Sequence, residues 1–464
     1  MTALGRAREL AALVDEFAPP AWRRDPAWWA LLAAAAVAEP RGRRGPAPYL
    51  ISDATPDADT YMAAIVAPLR DPSAWVAWAV AAAHAAVDAV ARLDGTLPDQ
   101  PLAVAIARVD GHAVVRPLAQ PRRVGFAIGD RVLSGLLDRR GPAYDGDLAR
   151  ALARSLAGEP SQLVADGPPP QVVIALGDDA TAWLRHGHRR AWRDGGGPWL
   201  GVARAGELLA VSTCHLVVDG YGHALLTEAI ADAAVPAALH VPVVAALPPL
   251  VAVRGGALDV AWAAAPACGA IAGAYALGRV LHRRGDPRAL RSPPLQLPVA
   301  PGARDDDTRR GRRVRPALLS VRFPDSRPEP LAVFATRARA AIAREAAGAG
   351  LATRLLTGLT GVPMPLALKR RALAAGPSRL LRGPEQHLAG DACLSLLRHT
   401  GAAPLVAVSA PPPQIPRSRG SAVVTIIHAA TGSLTTVATT GPWSARALLD
   451  DWHAELARVA TLPR

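Results

Sequence analysis

Residues 208–213 combine alternating apolar and small polar positions with β-branched Val211 and Thr213, which predicts a buried strand. Asp219 and Gly220 follow with turn chemistry, and helical spacing resumes over 224–230. A short strand at 200–203 precedes them, entered through Gly196, Gly197, Pro198 and Trp199, so the two strands read as a hairpin feeding a central sheet. Upstream, Trp75, Trp78, Val80, Val87 and Val90 recur at helical intervals through 74–93, predicting a strongly amphipathic helix. Residues 20–38 carry Trp22, Trp28 and Trp29 ahead of another Ala-rich helical stretch. Strands at 102–109 and 113–118 flank Asp110 and Gly111, a hairpin signal. Helices at 146–157 and 180–192 enclose a strand at 171–176, set off by Pro168, Pro169 and Pro170.

From 283 to 316 the chain is rich in Pro, Asp and Arg and loses its periodicity, the pattern of a linker. Beyond it a strand is expected at 317–323, a helix at 330–347, and helical material at 352–375 broken at 361–365. Strands at 393–398, 405–409 and 421–428 come next; Thr431, Gly432 and Ser433 turn into a strand at 434–439, and a helix covers 444–459. The order implies an α/β chain in three parts: an N-terminal lobe over 1–282, a linker over 283–316 and a C-terminal lobe over 317–464.

Composition narrows the function. The 464 residues are half hydrophobic with only 4% aromatics, so helices pack through small side chains. A formal charge of +13 invites a nucleic-acid reading. Against it, Lys369 is the only lysine, and the densest basic string, Arg309, Arg310, Arg312, Arg313 and Arg315, falls in the linker, where a solvated charge run is the simpler explanation. With no zinc-finger, helix-turn-helix or RNA-binding motif beside it, nucleic acid is not the expected partner. Three scattered cysteines, Cys214, Cys268 and Cys393, argue against a disulfide framework and for a reducing cytoplasm. His186 and His188 stand alone in an Arg-rich stretch, so no metal site is expected. Residues 1–17 lack the apolar core of a signal peptide. The uncharged run 260–278, ending at Arg279, His282, Arg283 and Arg284, is long enough to cross a bilayer. Its Ala/Gly content and internal Pro266 favour a buried or membrane-surface helix instead.

The chemistry concentrates in His215, Leu216, Val217, Val218, Asp219 and Gly220, a His-x-x-x-Asp-Gly string. A histidine at the end of a core strand is held rigidly and serves as a general base when one ring nitrogen is oriented by protein and the other faces substrate. The segment resembles the active-site motif of the chloramphenicol acetyltransferase-like superfamily, which includes condensation domains and wax ester synthase/diacylglycerol acyltransferases. That resemblance implies two lobes, each a mixed sheet with packed helices, enclosing a tunnel. It implies an acyl thioester, of coenzyme A or a phosphopantetheinyl carrier protein, as co-substrate, a small-molecule hydroxyl or amine acceptor, and no resident cofactor. His215 becomes the base, Asp219 the carboxylate that shapes the loop, and Gly220 the residue that permits the turn. Ser395 is the oxyanion donor it suggests from the other lobe, and Arg322 the partner of Asp219. Lipid or secondary metabolism is where such chemistry belongs. The chain departs from the pattern in having Cys214 where several branches have a first histidine, and in lacking an Asp-Phe-Gly-Trp-Gly string. The motif also falls later than usual in that superfamily, implying an N-terminal extension or insertions before it.

Two other functions fit the same sequence. One is a non-catalytic scaffold or docking module with the condensation fold, which Cys214 and the displaced motif favour. The other is a peripheral membrane or anion-binding protein acting through the basic linker and residues 260–278.

Overall fold

The computed structural model describes residues 61–66, 75–96, 102–109, 112–118, 123–129, 131–137, 141–165, 170–176, 197–205, 208–214, 217–218, 220–233, 259–265, 268–285, 291–293, 295–299, 315–347, 392–398, 405–409, 421–429, 432–440 and 442–462, with isolated positions besides. In chain order the elements are β1 (Tyr61–Val66), α1 (Trp75–Leu93), β2 (Val104–Val109), β3 (His112–Pro117), β4 (Arg123–Ile128), β5 (Arg131–Leu136), α2 (Pro142–Leu156), β6 (Val172–Leu176), β7 (Leu200–Ala205), β8 (Leu208–Cys214) and α3 (Gly220–Ala233). They continue with β9 (Asp259–Ala265), α4 (Ala270–Arg284), β10 (Leu295–Val299), β11 (Arg315–Leu319), α5 (Leu331–Ala346), β12 (Ala392–Arg398), β13 (Leu405–Ser409), β14 (Ser421–Ala429), β15 (Gly432–Thr440) and α6 (Ala445–Ala460).

Two compact units divide the chain, one of them Asp59–Gly255 with His399–Ser409. Its seven-stranded sheet has the order β13-β1-β8-β7-β6-β4-β5. The sheet is mixed: β6 runs parallel to β4 and β7, whereas β8 is antiparallel to both β7 and β1. Every residue of β6 is buried, as its unbroken apolar run VVIAL requires. Helix α1 packs on α3 and on β6. Its run of small residues buries Trp78 completely and lets the helices approach closely. The helix stops at Gly95, whose φ of 81° favours glycine, while the Thr96 hydroxyl donates to the Leu93 carbonyl at 2.7 Å.

The other unit includes Gly256–Arg398 and Ala410–Arg464. Its six-stranded sheet is ordered β11-β10-β12-β14-β15-β9. Leu295, Leu297, Leu394, Val424, Ile426 and Val437 build one buried core with residues of α4, α5 and α6. Two acidic groups fix α6 in place. Asp259 of β9 accepts from the Ala445 N–H at 2.7 Å, placing negative charge at the helix start. Glu455, fully buried, is ion-paired with Arg279 Nε at 2.8 Å and accepts a hydrogen bond from an Arg283 guanidinium nitrogen at 2.7 Å, both from α4.

The expected fold class, α/β with two mixed sheets and packed helices, is the one observed. One expectation needs correction. Residues 260–278 are not one helix: β9 occupies 259–265 as the partner of β15, and α4 starts at Ala270 beyond Pro266. That helix continues to Arg284, inside the supposed linker 283–316, which also contains β10 and the first residues of β11. Pro298 and Pro316 are register partners in that hairpin. Neither can donate to the ladder, and Pro298 is tolerated because pairing of β10 with β12 involves only Leu295 and Gln296. The two helices expected at 180–192 and 352–375 lie outside the described residues, as does the basic string 309–313.

Candidate active site

Strand β8 lies inside its sheet, between β1 and β7, so its end is held on both sides. The Cys214 N–H donates to the Trp199 carbonyl at 2.8 Å, and the Cys214 carbonyl accepts from Val217 at 3.0 Å and Val218 at 3.3 Å. These bonds turn the chain as soon as the strand ends. Val217 and Val218 are fully buried, and α3 begins at Gly220. His215 and Asp219 themselves lie outside the described residues, as does Leu216. The expected strand is present and one residue longer, and the expected helix is present and starts four residues earlier, at Gly220.

The first turn of α3 is bonded back to the strand. Thr213 Oγ1 and His223 Nδ1 are 2.9 Å apart. Thr227 Oγ1, one turn later, donates to the His223 carbonyl at 2.8 Å. His223 is 1% exposed and its Nε2 has no hydrogen-bond partner. Burial lowers its pKa from 6.5 to about 3, so the ring is neutral at ordinary pH. This helix residue is therefore buried and uncharged against the strand. Thr213 as its partner was not visible in the sequence, because nothing in a strand pattern says which hydroxyl meets which helix turn.

The two residues assigned from the second half are placed as follows. Ser395 is half-buried on β12, with Thr425 of β14 as its register partner. Arg322 is exposed and lies beyond the end of β11, at an isolated bridge with Arg291. Its N–H donates to Glu329 Oε1 at 2.9 Å, and the Glu329 N–H returns a bond to its carbonyl at 2.8 Å. The cysteines are all free thiols, and Cys214 is fully buried. Burial pushes the Cys393 thiol up to about 12 and that of Cys268 up to about 11, so neither is an activated nucleophile. Among the described residues no three His, Cys, Asp or Glu side chains are grouped as a metal ion would need.

No protein-family model matches the chain, and no curated protein matches it either. Solved structures similar to it include condensation domains and an epimerization domain. The first condensation domain of the calcium-dependent antibiotic synthetase, in complex with a substrate analogue, is 15% identical, with 91% of this chain and 96% of that one covered at a TM-score of 0.45. The epimerization domain from the third module of tyrocidine synthetase B is 11% identical, covering 87% and 92% at a TM-score of 0.43. A structure of condensation domain-mediated chain release from the enacyloxin polyketide synthase is 14% identical, covering 96% and 92% at a TM-score of 0.40. At TM-scores of this size the strand orders and registers given above, rather than the superposition, define the two sheets.

Proposed function

We propose that the protein transfers an acyl group from a thioester to a hydroxyl or amine acceptor, with His215 as general base. One observation carries the reading. An interior strand ends at Cys214 and a helix begins at Gly220, so residues 215–219, the His-x-x-x-Asp string, are bounded on both sides by rigid, buried structure. Such support is what a base needs to be held within hydrogen-bond reach of a substrate proton.

In this reading neutral His215 removes the acceptor proton as the acceptor attacks the thioester carbonyl carbon. The carbonyl electrons move onto oxygen, and the Ser395 hydroxyl stabilises that oxyanion by donating to it. Collapse restores the carbonyl, breaks the carbon–sulfur bond, and returns the proton from the imidazolium to the departing thiolate. No acyl-enzyme forms, in keeping with the strongly raised Cys393 thiol and the burial of Cys214. Asp219 shapes the loop, and Gly220 permits the change of direction into α3. The donor is acyl-coenzyme A or an acyl carrier protein.

The test is free-thiol release from a panel of acyl thioesters, with and without pooled alcohols and amines. Acceptor-dependent release by the parent that His215→Ala lowers by about 10²–10⁴-fold is the expected result. Equal release by the two proteins would remove the reading.

A further inference from the structure

We propose that His223 is a positioning residue: its bond to Thr213 clamps the first turn of α3 to the end of β8, so that the intervening segment presents His215 in one conformation. The inference rests on the acyl-transfer reading for what the clamp serves, and on geometry for the clamp itself. Thr213 is the last residue but one of β8, and His223 lies in the first turn of α3. Their side chains meet at 2.9 Å, with both residues buried. Backbone bonds already turn the chain after Cys214, which accepts from Val217 and Val218. The Thr213–His223 bond adds a side-chain tie to these, joining strand and helix on either side of the connection.

Cost supports the assignment. Only one nitrogen of His223 is bonded, and Nε2 is buried without a partner. If Nδ1 accepts from the Thr213 hydroxyl, Nε2 carries a buried, unpaired N–H; if Nδ1 donates, Nε2 is a buried lone pair. Either tautomer is penalised relative to an apolar ring of similar size. Helix packing alone would be better served by phenylalanine, whereas a directional bond to Thr213 requires the histidine. Burial holds the ring neutral, so the clamp does not change over the pH range in which a base of ordinary pKa titrates.

The experiment compares the parent with Thr213→Val, Thr213→Ser, His223→Phe and the double variant Thr213→Val/His223→Phe. Two readouts are taken on each: thioester turnover with melting temperature, and the imidazole resonances of His215 in a nitrogen-labelled sample, assigned from His215→Gln. The expected result separates stability from rate. His223→Phe and the double variant melt at or above the parent temperature, yet kcat falls at least tenfold with KM little changed. Thr213→Ser, which keeps the hydroxyl, retains parental kcat. The His215 resonances, narrow and single in the parent, broaden or split in the valine and phenylalanine variants. Parental His215 resonances in both of those variants, or a kcat that simply tracks melting temperature, overturn the proposal. A parent that turns over no thioester defeats the acyl-transfer reading instead, and the resonances then decide the clamp on their own.

Discussion

Met62 and Ser409 are register partners in one sheet, joined across the pairing of β1 with β13 although they come from opposite parts of the chain. Strand β13 is flanked in sequence by β12 and β14, which pair with each other in the other sheet. The chain thus leaves one sheet to complete the other and then returns. On its second side β1 pairs with β8, with Tyr61 opposite Cys214. The strand that ends at the candidate base is therefore braced by β1, and β1 in turn by a strand from the second half of the chain.

That arrangement makes β1 an interior strand whose N–H groups serve two ladders. Ile65, opposite Val406 on one side and Ala210 on the other, has no exposed edge to offer a proline. Ile65→Pro should lower stability by about 3 kcal/mol or more in urea unfolding. A loss below about 1 kcal/mol would mean that β1 does not pair on both sides.

How much of this was legible follows from which signals the residues carry. The strand and the helix from 208 onward were readable because periodicity changes from two to helical spacing within a few residues. The hairpin of β2 and β3 was readable from Asp110 and Gly111, and Val109 and His112 are indeed register partners. β4 and β5 escaped, although Gly129, at φ 59°, marked their connection. Within β4, Gly125 also weakens the strand signal: a Cβ there would meet Val132 Cγ1 at 2.9 Å, so close packing with the neighbouring strand excludes a larger residue. The run 260–278 misled because Ala and Gly serve strand and helix alike, and without polar residues neither period is visible. β10 was hidden by Pro298 within it and by Pro293 and Pro294 just before it. The destination of β13 was beyond any local pattern, since four apolar residues and a serine do not specify which sheet they join.

Glu455 is the second stability test. A fully buried carboxylate receiving Arg279 and Arg283 from α4, and Arg458 from its own helix, links α6 to α4. Glu455→Ala leaves these guanidinium groups without their anion and should cost about 3 kcal/mol, read as a lowered melting temperature. Glu455→Gln should lie between the two. Arg446→Ala breaks only an exposed pair with Asp450, and its melting temperature should stay close to the parent's.

Asp219 and Ser395 should separate loop shaping from chemistry. Asp219→Ala is expected to lower both melting temperature and turnover, because the carboxylate's proposed work is to hold a loop. Ser395→Ala, half-buried on β12, should leave the melting temperature unchanged and reduce kcat by about 10²-fold, the effect of removing one oxyanion donor. A Ser395→Ala enzyme with parental kcat would take the serine out of the mechanism.

The thiols give a prediction with a pH sign. Burial raises Cys393 to about 12 and Cys268 to about 11, against 9.0 for a free thiol. At pH 8 the thiolate of Cys393 is then about one part in 10⁴, so alkylation by iodoacetamide should be slow in the native protein and fast in urea. A folded pKa above the unfolded one means stability that is whole below pH 9 and lost as pH rises toward 12. Cys393→Ala should flatten that alkaline loss. Rapid native alkylation accompanied by loss of turnover would point to a cysteine nucleophile and against a direct transfer.

His223 gives the opposite sign at the acid end. Its pKa is depressed from 6.5 to about 3 by burial, so on acidification the unfolded chain binds a proton well before the folded one does. The neutral ring contributes stability that is whole above pH 6.5 and is lost as pH falls toward 3, at up to about 1.4 kcal/mol per pH unit. Carboxylates titrate in the same range, so the parent curve alone does not isolate the histidine. The difference between parent and His223→Phe does, since every carboxylate is common to both. Urea unfolding at pH 7, 6, 5 and 4 should show the two proteins diverging as pH falls, with the phenylalanine variant progressively the more stable. Parallel curves would mean that His223 accepts its proton in the folded state near pH 6, and that the ring is neither sealed nor neutral where the clamp requires it to be.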